Sequence, residues 1–466
     1  MAQNVPLKVG VVSLGCAKNL VDSEIMLALL RRQGLELTTD PEQAQAIIVN
    51  TCGFVEEAKQ ESIDTILELA QLKQKGQLQR LVVAGCMVQR YARELATEIP
   101  EIDAFVGLDE LDAIVAAVSG ARGRDQLPDQ RASLRLYDHT FPRLLATGGA
   151  YAYLKVAEGC NNPCAFCHIP RMRGAFRSRT VRSLVAEAQA LERAGVRELV
   201  LVAQDTTRYG EDLGMGRRGL RVLLEALLAE TSFPWIRFLY AYPATLDEGV
   251  FQLMTENPRL VPYLDIPLQH ASRKVLKLMQ RGGDARSFRK LIAQARDRVP
   301  GLAVRTTFIV GFPGEGEEEF QELLNFVEEV GFDHLGVFAY SFQEENPGAH
   351  LGDPVPAEVK ESRRERLLAL QRRISRKKLR ALLGQERLVL VEGPSPDHPW
   401  VMAGRLATQA PEVDGMVYLS GGEVAVGDFV RVRLVKATDY DLVGEVVEVA
   451  ARGETKALLR LPVASR

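Results

Sequence analysis

Glu158-Gly159-Cys160-Asn161-Asn162-Pro163-Cys164-Ala165-Phe166-Cys167 is the stretch on which the reading of this chain turns. Its three cysteines, at CxxxCxxC spacing, match neither a disulfide framework nor an ordinary zinc loop. A 4Fe-4S cubane takes four thiolates, one per iron. Three thiolates leave one iron open, so the loop predicts a 4Fe-4S cluster with a vacant corner for a small ligand. The competing reading is a zinc site of the three cysteines and His168. It is disfavoured because structural zinc loops usually draw two ligands from a distant second strand. Phe166, between the last two cysteines, offers apolar cover for a group that must be shielded from water.

Composition narrows the class. A chain of 466 residues has room for about three domains of about 150 residues each. Its 46% hydrophobic and 26% charged residues are those of an ordinary soluble globular protein. A net charge of −3 excludes a global basic footprint for nucleic acid. No apolar run approaches the roughly 20 residues of a membrane span, and Met1 to Lys8 has no signal-peptide character, so a cytoplasmic protein is expected. Six cysteines are too few and too dispersed for a disulfide scaffold. Clustered thiols in a reducing compartment point to metal.

Cys16, Cys52 and Cys86 remain to be explained. Each ends an apolar run: Val9 to Cys16, Ala46 to Cys52 and Leu81 to Cys86. Runs that are apolar throughout predict strands of a doubly wound parallel sheet covered by helices, with helical crossovers over about 19–33 and 54–74. Ligands of such sheets bind outside the carboxyl ends of the strands. Three cysteines at three carboxyl ends therefore converge, and a second three-thiolate 4Fe-4S cluster is expected there. Buried free cysteines acting as small hydrophobes are the plain alternative.

The loop at Cys160 resembles that of the radical SAM enzymes, in which S-adenosylmethionine chelates the open iron. Gly15-Cys16-Ala17-Lys18-Asn19, Asn50-Thr51-Cys52-Gly53-Phe54 and Gly85-Cys86-Met87-Val88-Gln89-Arg90-Tyr91 resemble, in turn, the radical SAM methylthiotransferases. The likeness covers essentially the whole chain. It implies an amino-terminal cluster domain at 7–119, a radical SAM core at 146–376 and a TRAM domain at 379–449, with a polar linker over about 120–145. The family keeps an aromatic residue near the adenine at the place of Phe166.

From Tyr151 onward, strand-like runs alternate with helical ones, which argues a partial parallel (β/α) barrel with its site at the carboxyl-terminal mouth. Gln204, Asp205, Gln269, His270, Arg305 and Gly311 of the turn Gly311-Phe312-Pro313-Gly314-Glu315 fall there. They are cofactor or substrate neighbours by position, or plain structural residues. Arg171, Arg173, Arg177 and Arg179 lie beside the cysteine loop and either steer an anionic substrate or solvate a surface. Lys360 to Arg380 carries ten basic and two acidic residues on a helical pattern, by default a solvated connecting helix. Short strands beyond it predict a small all-β barrel.

From Gln385 to Arg466 there are nine Lys plus Arg and twelve Asp plus Glu. An acidic terminal domain suits a basic protein substrate better than RNA. Tyr240-Ala241-Tyr242-Pro243, Leu264 to Ser272 and Arg405 to Gly415 resemble the RimO family, the ribosomal-protein methylthiotransferases. That resemblance implies transfer of a methylthio group to the β-carbon of an aspartate in small-subunit ribosomal protein twelve, with two 4Fe-4S clusters and S-adenosylmethionine. It also implies a sulfur source and an electron donor such as a flavodoxin or ferredoxin. Modification of adenosine in transfer RNA is the alternative activity.

Overall fold

The structure, a computed structural model, describes residues 7–129, 131 and 135–453. The amino-terminal layer contains β1 (Lys8–Ser13), α1 (Ala17–Arg32), β2 (Glu36–Thr38), β3 (Ala46–Thr51), α2 (Glu56–Gln74), β4 (Arg80–Gly85), α3 (Cys86–Glu98), β5 (Ala104–Val106) and α4 (Ile114–Ser119). Its five strands pair in parallel in the order β2-β1-β3-β4-β5. β3 is buried along its whole length, as a strand covered on both faces must be. The chain steps outward from β1 to β2 and then back across β1 to β3, so the winding reverses between β1 and β3. Crevices at such reversals bind ligands.

The core runs through β6 (Tyr151–Lys155), β7 (Ala157–Glu158), α5 (Ile169–Arg173), β8 (Arg177–Ser178), α6 (Val181–Arg193), β9 (Glu198–Val202), α7 (Gly219–Glu230) and β10 (Trp235–Phe238). It continues through α8 (Gly249–Glu256), β11 (Tyr263–Asp265), α9 (Arg273–Leu278), α10 (Ala285–Arg298), β12 (Ala303–Val310), α11 (Glu317–Val330) and β13 (His334–Ala339). Two parallel three-stranded sheets, β10-β9-β6 and β11-β12-β13, join through a parallel bridge between Ile236 and Leu260. Together they make an open arc, the partial barrel that the alternating pattern predicts. After α12 (Ala357–Arg380), the strands β14 (Glu386–Pro394), β15 (Met402–Leu406), β16 (Val417–Ser420), β17 (Phe429–Ala437) and β18 (Leu442–Ala451) close a barrel.

Helix α1 explains how the layers meet. It is buried on almost every side, because Val21 and Ile25 share one apolar cluster with Tyr153, Val200 and Val202 of the core sheet. Each fully buried Val or Ile contributes about 1.5–3 kcal/mol, so this junction is a packed core and not a hinge.

Three expectations need correction. The 120–145 segment has no helix or strand among its described residues, yet it is not a loose linker: Arg143 pairs with Glu24 of α1 and Glu187 of α6, and Tyr137 is buried. Helix α12 is not merely solvated, since Lys360, Arg363 and Gln371 are buried against the core. Strand β15 is absent from the sequence reading. Its Gly404 packs where a Cβ would come within 2.2 Å of the Leu390 carbonyl, and its Arg405 is buried against Glu198 and Glu392, so the run lacks apolar alternation.

Candidate active site

The loop after β7 is held from several sides. The Cys160 amide donates to the Gly174 carbonyl at 3.1 Å, the Ala165 amide to Met279 at 3.0 Å and the Cys167 amide to Cys164 at 3.1 Å. Gly159 adopts φ +77°, and a Cβ there would lie 2.2 Å from the Ala175 oxygen, so only glycine fits. Burial pushes the Cys160 thiol up to about 11 and the Cys167 thiol up to about 12, with the neighbouring cysteine thiols adding to the effect. Three thiols crowded together become thiolates when a cation neutralises them, so the donor set fits a metal cluster.

A cleft of roughly 460 Å³ opens beside this loop, lined by Cys160, Asn162, Cys167, Arg171 and Gln280 among others. That volume suits a small-molecule ligand. His168 turns the other way: its Nδ1 lies 3.3 Å from the Glu345 carbonyl and its Nε2 faces the Glu345 carboxylate. The zinc reading thereby loses its fourth ligand.

The barrel mouth supplies further contacts. Asp205, three residues beyond the end of β9, accepts from the Asn162 side chain at 2.8 Å and from Thr207 at 2.6 Å, and burial raises its carboxyl above the usual range. Gln204 donates to Glu158 at 2.9 Å. Phe166 packs edge-on against Phe312, with ring centroids 6.5 Å apart. Gln269 holds φ +73°, its amide donating to the Thr307 carbonyl and its carbonyl accepting from the Ile309 amide, each at 2.8 Å, on either side of Phe308. Gly311 donates its amide to Glu315 at 2.8 Å, and a Cβ on it would meet Lys360 at 2.3 Å, so it serves the strand-to-helix turn. Arg305 does not join the cluster loop. It lies five residues before the end of β12, and its guanidinium donates to Asp414 at 2.8 Å and to the Val413 carbonyl at 3.1 Å.

The second triad assembles as the strand ends require. Cys16 precedes α1, Cys52 follows β3 at the winding reversal, and Cys86 opens α3. Gly15 approaches Cys52 so closely that a Cβ would lie 2.7 Å from the Cys52 Cβ. Burial pushes the Cys52 thiol up to about 12, helped by Cys86 and then Cys16. Burial also works against ionisation of Cys16, but Lys18 and Arg173 outweigh it and hold that thiol below the usual range. Among the described residues no three such side chains surround a single ion site. A cubane is compatible with that spread, since each cysteine binds its own iron.

Arg173, the last residue of α5, links the amino-terminal triad to the strand that leads into the core cysteine loop. Its guanidinium donates to Cys86 Sγ at 3.0 Å, Asn19 at 2.8 Å and Glu158 at 3.0 Å, and it is almost wholly buried. Lys155 completes the network, 2.5 Å from Asp22 and 2.7 Å from Glu158. Arg173 is therefore neither a substrate steerer nor a solvating charge. Arg179 is likewise buried, donating to the Lys155 carbonyl and pairing with Glu187. A strap at 343–348, unmarked in the sequence, ties both loops together. Gln343 donates to the Phe54 carbonyl, Glu345 pairs with Arg90, and Asn346 donates to the Phe166 carbonyl.

The acidic terminal domain also behaves differently from expectation. Glu412 accepts from Tyr151 at 2.9 Å and Tyr153 at 3.2 Å, and the Asp414 side chain is fully buried against Arg305, Tyr263 and His334. These two carboxylates dock the terminal barrel on the core and do not face a partner.

A parallel sheet with converging strand-end cysteines, a partial barrel with a three-cysteine loop and a closed terminal barrel define a radical SAM protein with an added cluster-type domain and a TRAM domain. Residues 8–107 match the uncharacterized protein family UPF0004, 154–327 the radical SAM superfamily and 383–447 the TRAM domain. The radical SAM methyltransferase TsrM from Kitasatospora setae has a similar fold, with a TM-score of 0.52 over 74% of this chain and 77% of that one at 16% identity. The ribosomal protein uS12 methylthiotransferase RimO of Pelobacter propionicus is 46% identical over 95% of this chain and 98% of its own. That of Geotalea uraniireducens is 47% identical over 96% and 100%. The chain belongs to the RimO family of radical SAM methylthiotransferases.

Proposed function

We propose that this protein binds one 4Fe-4S cluster through Cys160, Cys164 and Cys167 and a second through Cys16, Cys52 and Cys86. We further propose that it adds a methylthio group to the β-carbon of an aspartate in ribosomal protein uS12. When bound, the core cluster with S-adenosylmethionine supplies a 5′-deoxyadenosyl radical, and the amino-terminal cluster supplies sulfur for transfer. The β-carbon offers no acidic proton to a side-chain base, which is why the reaction needs cofactor chemistry.

The chain's own residues hold and shield. Phe166 and Phe312 cover the core loop with apolar surface, Asn162 and Asp205 fix its first turn, and Gln204, Gln269 and Gln280 stand at the mouth where S-adenosylmethionine would lie. The observation that supports the two-cluster reading is the buried network in which Arg173 holds Cys86 of one triad and Glu158, two residues before Cys160, on the other side. Protein as substrate is favoured over transfer RNA because the basic helix α12 is largely neutralised from within: Arg363 pairs with Glu315, Arg366 with Glu317, Arg373 with Glu328, Arg376 with Asp439 and Lys378 with Asp333. No helix among the described residues is long and apolar enough to cross a membrane, and a cytoplasmic site of action fits a ribosomal substrate. A sulfur source and a low-potential electron donor such as a flavodoxin or ferredoxin complete the system.

Iron and acid-labile sulfide in anaerobically prepared protein test this. About eight irons per chain are expected, falling to about four when either cysteine triad is replaced by alanine. Four irons in the intact chain would overturn the two-cluster reading.

A further inference from the structure

Arg281 lies in the turn between α9 and α10, beside the core cysteine loop. Helix α9 closes in a Schellman turn: the Gln280 amide donates to the Lys277 carbonyl at 3.1 Å and the Arg281 amide to the Leu276 carbonyl at 2.8 Å. Such a turn needs one left-handed residue, and Gln280 supplies it at φ +54°, where glycine is the usual choice. The Met279 carbonyl just before it accepts the Ala165 amide, so the turn and the cysteine loop are fastened together. The Arg281 side chain is then fixed at three points. Its Nη2 donates to the Pro267 carbonyl at 2.8 Å, its guanidinium stacks 4.4 Å from the centroid of the Tyr242 ring, and its Nη1 lies 3.4 Å from Cys164 Sγ.

Among the described residues, two guanidiniums reach a cysteine sulfur, one in each triad, and their charges are treated differently. Arg173, on Cys86, is also paired with Glu158 at 3.0 Å and Asp22 at 3.4 Å, so carboxylates offset its charge. The contacts of Arg281 are a carbonyl, a ring and a sulfur, with no carboxylate among them. It is half-buried, which leaves its charge only partly screened by water. Once Cys164 is a metal-bound thiolate, that sulfur is the anion Arg281 faces. An N–H on a ligand sulfur, strengthened by an unbalanced positive charge, favours the more negative, reduced form of an iron–sulfur cluster and raises its potential.

We infer that Arg281 is a positioning residue that sets the reduction potential of the core cluster through Cys164, and so makes the core cluster the one that takes up the electron. This rests on the proposed two-cluster reading and adds the residue that decides between the clusters. The electron donor loses one electron and the core cluster gains it, while Arg281 keeps its proton and its three contacts. Pro267 and Tyr242 hold the guanidinium at the sulfur, so it need not reorganise when the charge arrives.

The test is a reductive titration of anaerobically reconstituted holoprotein followed by electron paramagnetic resonance, for the natural chain, Arg281→Met and Arg281→Lys. The core cluster is recognised as the one whose signal changes when S-adenosylmethionine is added. In Arg281→Met its reduction equilibrium should fall by about tenfold or more, equal to a drop of about 59 mV for a one-electron couple, while the amino-terminal cluster titrates as in the natural chain. Arg281→Lys should recover part of the difference, because it keeps the charge but not the fork of donors. Iron content should stay as in the natural chain. Where Arg281→Met binds less iron, Arg281→Gln, which keeps an N–H donor without the charge, takes its place and should shift the core cluster in the same direction by less. A core potential unchanged in the uncharged variant, or an equal shift of both clusters, overturns the assignment. A single titrating cluster in the natural chain would instead count against the two-cluster reading.

Discussion

Arg173 has the most to lose from truncation of any side chain at the junction. Its removal would leave Glu158 short of one cationic partner, Cys86 Sγ without its guanidinium donor and Asn19 Oδ1 with only the Cys86 thiol, all inside the protein. Breaking such a buried pair costs about 3–5 kcal/mol, so Arg173→Ala should lower unfolding stability by that amount in denaturant titrations. Lysine should not rescue it, because one ammonium cannot reach the same acceptors. At Gly159, alanine would strike the Ala175 carbonyl and force the cysteine loop open. Gly159→Ala should therefore assemble less core cluster, read as iron per chain, while the protein still folds. The grouping of the six cysteines into two sets was legible because it follows from the short loop spacing of one set and the strand-end placement of the other. The role of Arg173 was not, since Cys86 and Asn19 lie 87 and 154 residues away in sequence and nothing local marks them as partners.

The strands and helices that place these residues were legible wherever burial is uniform. β3, β4 and β9 read as apolar runs, and the core strands fall within a few residues of where the alternation puts them. β15 was hidden because its interior holds Gly404 and Arg405, chosen by neighbours in other elements. The contact between β12 and the segment before β16 carries a pH-dependent term of its own. Burial works to raise the Asp414 carboxyl, but His334 and Arg305 outweigh it and hold it below the ordinary carboxylate range. A depressed carboxyl adds stability that is complete above about pH 5 and is lost as pH falls through its lowered value. Asp414→Asn should thus be less stable than the natural chain at pH 7 and converge toward it only as pH falls below about 4, as followed by urea unfolding at pH 7 and in steps from pH 4 down to about pH 2. Parallel loss in both proteins would remove this carboxylate from the account.

Across the whole molecule, the arrangement couples two cysteine sites through one packed junction. Replacing Cys16, Cys52 and Cys86 together should abolish methylthio transfer yet leave reductive cleavage of S-adenosylmethionine measurable by 5′-deoxyadenosine release. Replacing Cys160, Cys164 and Cys167 should abolish both. The domain order was legible from motif succession, whereas the burial of α1 between two sheets was not, because Lys18, Asn19, Asp22, Ser23 and Glu24 read as a solvent-facing side and are buried instead. The central claim is tested most directly by mass spectrometry of uS12 incubated with the reconstituted protein, S-adenosylmethionine, a sulfur source and reductant, alongside transfer RNA. One methylthio group in place of hydrogen is expected on one aspartate, with label from β-deuterated aspartate appearing in 5′-deoxyadenosine. Methylthiolated adenosine in the transfer RNA, with uS12 unchanged, would contradict it.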